Sequence, residues 1–320
     1  PHSIESNEII RNYKEGSILL SSRFLCEMIR KMESDEVTVD VIDSTMAKIS
    51  DKQVDCTLNC VRPEEYPDLD LDPGDVGLTM TTADFSLLVD QTAFAASTKE
   101  QRPYLTAINL EAGGGILTAT ATDSARMARK NMSIPDGINF NVNVPARMMS
   151  EIARLIEGAP SIDISVSDKK ALFTFGRTVI ATRLIAGDYP NTKNIVPRIV
   201  NYTLEVNSQD LIKAIDRANI LSVDRENVVD LSMSEEGIEI SAKSSQVGSV
   251  VGRIEMYRYE GAPLTVSFNS EFVVAAVKSL STEDVTFSFV GEMKPFVIKN
   301  SADESIVQVV TQIGRASCRE

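Results

Sequence analysis

The chain contains a single histidine, His2, at its extreme start. A Ser-His or Cys-His nucleophile needs an imidazole held beside it in a folded site, so that chemistry is excluded. Only four cysteines occur in 320 residues and none has a paired spacing, which points to a reducing, cytoplasmic setting. Cys56, Leu58 and Cys60 share one strand face, and four strand residues put the two thiols roughly 13 Å apart, too far to hold one zinc. They read as small buried hydrophobes. No apolar run approaches the roughly 18 residues of a membrane span, and nothing resembles a signal peptide. No G-x-S-x-G, Walker A, H-E-x-x-H or dinucleotide fingerprint is present. Asp68–Gly74, D-L-D-L-D-P-G, suggests calcium, but Pro73 and Thr79 stand where an EF-hand loop needs Gly and Glu, so it reads as a solvated linker. Gly113–Gly115 precede no helix and read as a hairpin turn rather than a phosphate cradle. The expectation is a protein without metal, cofactor or catalytic centre.

What is present is a globular composition, 43% hydrophobic and 24% charged, with a net charge of −14. So acidic a balance argues against nucleic acid until one asks whether the basic residues share a face.

They do, through an internal repeat. Val142–Ile156 reads as a short alternating strand running into a helix that opens at Pro145. Its apolar face is Met148, Met149, Ile152, Leu155 and Ile156. The same pattern stands 124 residues earlier, where Ile18–Leu20 enters Ser21–Met32, and 124 later, where Val266–Phe268 enters Asn269–Leu280. Phe24, Met148 and Phe272 match, as do Met28, Ile152 and Ala276, and Met32, Ile156 and Leu280. The basic pair Arg23/Arg30 recurs as Arg147/Arg154 and, degraded, as Glu271/Lys278. A second repeat links strand Gly77–Thr81 and helix Thr82–Ala95 to Tyr202–Val206 and Ser208–Leu221. Tyr66–Pro67 recurs as Tyr189–Pro190. Such self-similarity decides architecture before any local reading does.

The chain is therefore three copies of one α+β domain: 1–76, 77–200 and 201–311, with an atypical tail at 312–320. Each complete copy is two strand-rich halves carrying one helix each. In the first copy Val37–Val41, Met46–Ile49 and Gln53–Val61 alternate as strands of a one-faced antiparallel sheet. Three full copies would need about 372 residues; copy two begins near Gly77, so copy one would begin about 46 residues before Pro1, and with no initiator Met this reads as a truncation. The tail Q-I-G-R-A-S-C-R-E has no apolar periodicity and reads as foreign read-through or a polar extension. Arg23/Arg30 and Arg147/Arg154 lie seven apart, on a flank away from the apolar face. Either they are solvated and salt-bridged to Glu27 and Glu151, or they form a surface for phosphates; recurrence in register favours the second.

T-A-T-D-S-A-R-M-A at Thr120–Ala128, R-P-Y-L at Arg102–Leu105, R-L-I-A-G-D-Y-P-N at Arg183–Asn191 and M-K-P-F-V-I at Met293–Ile298 resemble the bacterial DNA polymerase III beta subunit family, the sliding clamps. The likeness runs from about Ile4 to Val310. It implies three tandem DNA-clamp domains, sheets outside and helices inside, in a crescent that closes with a second copy into a ring. It implies a non-catalytic processivity factor that encircles duplex DNA without reading its sequence. The replicative polymerase, a clamp loader and other proteins with clamp-binding motifs would be partners. The DNA-facing residues would be Arg23, Arg30, Lys99, Arg102, Tyr104, Arg147, Arg154 and Lys278. A hydrophobic partner peptide would enter a pocket formed by Leu105, Thr122, Ser124, Arg126, Met127, Pro190, Ile195, Asn269, Phe272, Met293, Val309 and Val310. The dimer seam would join Cys56 and Leu58 to Ile220 and Leu221 of the other subunit, weakened here by the shortened first domain. The family's Leu/Met-Pro-x-Arg ending is replaced by Thr311, Gln312, Ile313 and Gly314. A nucleic-acid-processing enzyme of repeated domains would instead need acidic groups converging on one cleft, and a protein-only scaffold would show no dependence on DNA.

Overall fold

Three helix starts in this chain are set by short polar residues that accept from otherwise unpaired backbone N–H groups. Thr81 accepts from the Asp84 N–H, Asn207 from those of Gln209 and Asp210, and Asn269 from those of Glu271 and Phe272. The computed structural model describes residues 3–6, 17–34, 36–43, 45–66, 70–74, 76–156, 158–197, 199–222, 227–244 and 246–314. His2, residues 67–69 of the Asp-rich linker and residues 315–320 of the tail lie outside these.

The first elements are β1 (Ser3–Ser6), α1 (Ser22–Ile29), β2 (Thr38–Asp43), β3 (Met46–Ser50) and β4 (Asp55–Asn59). Next come β5 (Val76–Thr81), α2 (Thr82–Thr92), β6 (Ala107–Gly113), β7 (Ile116–Thr122), β8 (Arg126–Ser133), β9 (Phe140–Pro145), α3 (Ala146–Leu155), β10 (Ser161–Val166), β11 (Lys170–Phe175) and β12 (Thr178–Arg183). The last third holds β13 (Tyr202–Asn207), α4 (Ser208–Asn219), β14 (Val228–Ser234), β15 (Gly237–Ser244), β16 (Gly248–Ile254) and β17 (Tyr257–Glu260). It ends with β18 (Leu264–Asn269), α5 (Ser270–Leu280), β19 (Asp284–Phe289), β20 (Phe296–Asn300) and β21 (Asp303–Val310). Pro145 closes β9, paired with Ala107, and caps α3 rather than opening it. α2 gives way to a 3-10 turn at Ala93–Ala95, earlier than its apolar pattern suggests.

Two units form. One comprises residues 1–6 and 73–320, the other residues 7–72. In the larger unit each half-repeat lends its opening strand to the other half's sheet. β5 pairs with β10 while β9 pairs with β6; likewise β13 pairs with β19 while β18 pairs with β14. This exchange interlocks the halves, so neither could bury its helix alone. The antiparallel β8–β21 pair then joins the two repeats into one nine-stranded sheet, β17-β13-β19-β20-β21-β8-β7-β6-β9. Two large cores result. One is built on Phe85, Phe173, Met149 and Ile152, the other on Phe268, Phe287, Phe289 and Phe296. The helices pack in a row, α3 on α2, α2 on α5, α5 on α4.

The smaller unit holds α1 and the antiparallel sheet β2-β3-β4. Its helix repeats the apolar register of α3 and α5 but buries none of it, and Phe24 is 59% exposed where Met148 is 7%. The reason is the strand exchange: Ile18–Leu20, read as a strand, makes only the Leu19–Val61 bridge. No sheet from a second half covers the helix among the described residues. Leu155 of α3 is likewise half exposed, beyond the edge of the buried stripe.

Candidate DNA-facing helices and peptide junction

Arg147 and Arg154 project from α3, and both are exposed while Met148, Met149 and Ile152 face the core. Arg154 Nη1 lies 3.1 Å from Glu151, and Arg147 makes no ion pair among the described residues. Lys278 is exposed in the last turn of α5. The sequence reading missed Lys213 and Arg217, exposed on α4 opposite its buried Leu211, Ile215 and Ala218; their four-residue spacing was the available signal. Lys99 and Arg102 are exposed in the loop leading to the 3-10 turn Pro103–Thr106, where Tyr104 is half-buried near Gly187. In the smaller unit Arg23 and Arg30 are exposed on α1, with Arg23 Nε 3.3 Å from Glu27. Both acid partners are thus present, as exposed pairs of the kind worth at most about 1 kcal/mol, which a phosphate can displace.

The expected pocket residues meet where β8 joins β21. Met127 stands opposite Val309 and Arg126 opposite Val310. Met127, Val309 and Val297 make a small core of their own, with Val196 packed against it. The turn between β7 and β8 is tightly bonded. Asp123 Oδ1 accepts from the N–H groups of Ala125 and Arg126, both at 2.9 Å, and the Thr122 hydroxyl donates to the Arg126 carbonyl at 2.6 Å. Ser124 takes a left-handed conformation, φ 80°. The Arg126 guanidinium pairs with Asp123 at 3.0 Å and stacks 4.4 Å from the Phe272 ring centre, with Phe94 at 5.7 Å. The Tyr189 hydroxyl accepts from the Thr122 N–H at 2.9 Å, and burial pushes its pKa well up, so it stays a neutral phenol.

A hollow lined throughout by exposed apolar side chains is not what these residues form. Leu105, Met127, Val309 and Val310 are at most 2% exposed: Met127 and Val309 pack on Val297 and Val196, Val310 joins the core of Phe287 and Phe296, and Leu105 is buried in the 3-10 turn. Phe272 is half-buried beneath Arg126, and Asn269 serves as the cap of α5. Pro190, Ile195 and Met293 are exposed, and Met293 forms the rim on the side of the tail, against Gln312 and Gly314. The tail reaches this rim. Thr311 donates twice to the Ala125 carbonyl, each at 2.9 Å, and the Ile313 N–H donates to Ser267 at 2.8 Å. Gln312 accepts from the Met293 N–H at 2.8 Å and donates to the Gly291 carbonyl at 2.9 Å. Thr311–Ile313 therefore ties both repeats and the 291–293 turn together, and a Cβ on Gly314 would meet Met293 Cε at 2.7 Å.

Of the expected seam residues, Cys56 and Leu58 are half-buried on β4, an outer strand of its sheet. Ile220, 74% exposed, and Leu221 end α4, which packs on β16, the outer strand of another sheet. Val251 on that strand is exposed too, and the sequence reading overlooked it. No group of three or more His, Cys, Asp or Glu could hold a metal among the described residues, and no helix there is long and apolar enough to cross a membrane.

Three family models match in succession: the N-terminal domain of the DNA polymerase III beta subunit over residues 2–70, its central domain over 79–191 and its C-terminal domain over 193–313. The chain is 32% identical over 318 residues to the beta sliding clamp of Bacillus subtilis, covering 98% of this chain and 84% of that one. It superimposes on the crystal structure of the Bacillus subtilis DNA polymerase sliding clamp with a TM-score of 0.89, covering 98% of this chain and 86% of that one. The Streptococcus pneumoniae DNA polymerase III beta chain, 27% identical, gives a TM-score of 0.90 over 98% and 86% of the two chains.

Proposed function

The chain belongs to the DNA polymerase III beta subunit family, and from that premise we propose that it is a processivity clamp: it encircles duplex DNA and tethers the replicative polymerase to it. The observation that carries this reading is the helix row α3–α2–α5–α4, in which Arg147, Arg154, Lys278, Lys213 and Arg217 of the three helices other than α2 are exposed and point away from both cores in a protein of net charge −14. Contacts to phosphate alone carry no sequence information and let a ring slide. The reading is of a non-catalytic, cytoplasmic protein. Its domains are those of the repeat, 1–76, 77–200 and 201–311. Ring closure by a second copy would pair the open edge of β4, beside Cys56 and Leu58, with that of β16, beside Ile220 and Leu221; such pairing removes two exposed edges at once. The test is retention on nicked circular DNA after loading by a clamp loader. The protein is expected to stay on the circle and leave when it is cut. Val251→Asp with Ile220→Asp is expected to abolish retention and to give monomers in sedimentation. Equal retention on linear and circular DNA would refute encirclement.

The β8–β21 junction is the site we assign to a partner's hydrophobic peptide. Its support is Met293, an exposed and flexible apolar side chain suited to several peptides, beside a preformed floor of Met127, Val297 and Val309. The tail offers a second test. Replacing Thr311–Gly314 by Leu-Pro-Val-Arg exchanges the hydrogen bonds of Thr311 and Gln312 for an apolar wall. Peptide affinity is expected to rise by about 1–3 kcal/mol, measured by calorimetry. Unchanged affinity with a raised melting temperature would make these positions structural only.

A further inference from the structure

A concavity of about 610 Å³ lies on the open face of the nine-stranded sheet, a volume typical of ligand sites. Its floor is made of side chains from four neighbouring strands. In one row Asn109 on β6 stands opposite Thr120 on β7, and Thr120 opposite Arg129 on β8. In the next row Asn141 on β9 stands opposite Glu111, Glu111 opposite Thr118, and Thr118 opposite Asn131. One wall is the connector from Tyr189 to Lys193, the same segment whose Tyr189 hydroxyl accepts from the Thr122 N–H at the junction. The connector is fixed to the floor: Arg129 Nη2 donates to Thr192 Oγ1 at 2.6 Å, and Asn143 donates to the Gly187 carbonyl at 2.8 Å.

The trough is rich in donors. Arg129 uses only Nη2, so its Nε and second amino group are unspent among the described residues. Asn131 accepts from Thr118 and Asn141 accepts from Asn109, which leaves the amide nitrogens of both without a partner there. Burial lowers the Arg129 pKa, the mark of a guanidinium short of solvent. Lys193 adds a second cation, and the one lining acid, Glu111, sits 3.9 Å from it, at the outer limit of an ion pair. A ligand must bring acceptors and negative charge. The floor crosses four strands, roughly 14 Å, which suits about four residues of extended chain.

We propose that this trough binds an extended, acidic segment flanking the hydrophobic motif of a partner peptide, with a carboxylate against Arg129. The inference rests on the junction being the peptide site, since the connector that walls the trough reaches the junction through Tyr189 on Thr122 and, just beyond it, Val196 against Met127 and Val309. A charged donor facing a carboxylate in a half-buried trough gives a short, strong hydrogen bond.

Two fluorescein-labelled peptides test it. Both carry a central Leu-Phe pair; one has Asp-Glu-Asp on each side, the other Ser-Gly-Ser. Anisotropy titration with the whole chain is expected to show the acidic peptide binding about tenfold more tightly. Arg129→Gln should reduce that ratio to about twofold. Lys193→Gln, at a side chain 75% exposed and remote from either core, should lower it without touching the fold. Equal binding of the two peptides overturns the trough assignment while the junction reading stands; binding of neither overturns both. Displacement of the acidic peptide by single-stranded oligo-dT would assign the trough to a phosphate backbone and also overturn the proposal.

Discussion

Charge reversal of Arg147 and Arg154 is expected to weaken binding of a short duplex roughly 300-fold near 0.2 M salt. A ring of two copies would lose four phosphate contacts. The slope of log affinity against log salt should then flatten by about 3 to 4 units, since each neutralised phosphate contributes about 0.9. Arg147→Glu alone should have the larger single effect, because Arg147 has no ion pair among the described residues, whereas Arg154 is shared with Glu151. Arg258→Glu is the matched control: it changes charge equally at an exposed side chain on β17, paired with Glu260 and set neither on the helix row nor at the proposed ring seam. Fluorescence anisotropy over a salt series measures all three. If the slope of the double variant equals that of the parent, or Arg258→Glu flattens it as much, α3 does not face DNA.

The second large effect is expected at Lys130. Its side chain is 5% exposed, and its ammonium donates to Asp303 at 2.9 Å and Ser305 at 2.6 Å, across the β8–β21 pair. Removing one partner of a buried pair leaves the other charge poorly solvated. Asp303 keeps a third of its exposure, so Lys130→Ala should cost about 3 kcal/mol, the low end of the range for such losses. Replacing both partners, Lys130→Met with Asp303→Leu, should recover most of it. Amide exchange at Met127 and Val309, which face each other in this pair, should quicken in the single variant and not in the double. The pair also sets an acid limit. Burial pushes the Asp303 carboxyl up, but bonds from Ser305 and Lys130 outweigh it and the pKa ends below its ordinary value. The stabilisation is therefore complete above the unfolded carboxylate range and is lost as pH falls below about 4. Lys130→Ala should lose less of its remaining stability there than the parent does. An equal acid response in both would show that the pair does not carry it.

Much of this molecule was legible as sequence because a repeat in register leaves a mark that needs no tertiary knowledge. The positions of Met148, Ile152 and Ile156 and of Ala276 and Leu280 are buried as their spacing dictates. Capping residues such as Thr81, Asn207 and Asn269 stand where a short polar side chain precedes an apolar run. The helical spacing of Arg147 and Arg154 likewise sufficed to place both on a flank away from the core. The strand exchange between half-repeats was not legible, since alternation along a strand says which face is buried but not which strand lies beside it. Hence the open face of Phe24 on α1 could not be told from the closed face of Met148, although the two share one pattern. Lys130 gave no sign of its role either. Its place in an alternating strand matched many solvent-facing lysines, and only the pairing of β8 with β21, between residues 173 apart, brought Asp303 within reach and made it a buried charge. The floor of the junction follows the same rule: Met127 and Val309 are ordinary strand residues until the sheet that joins the two repeats sets them face to face.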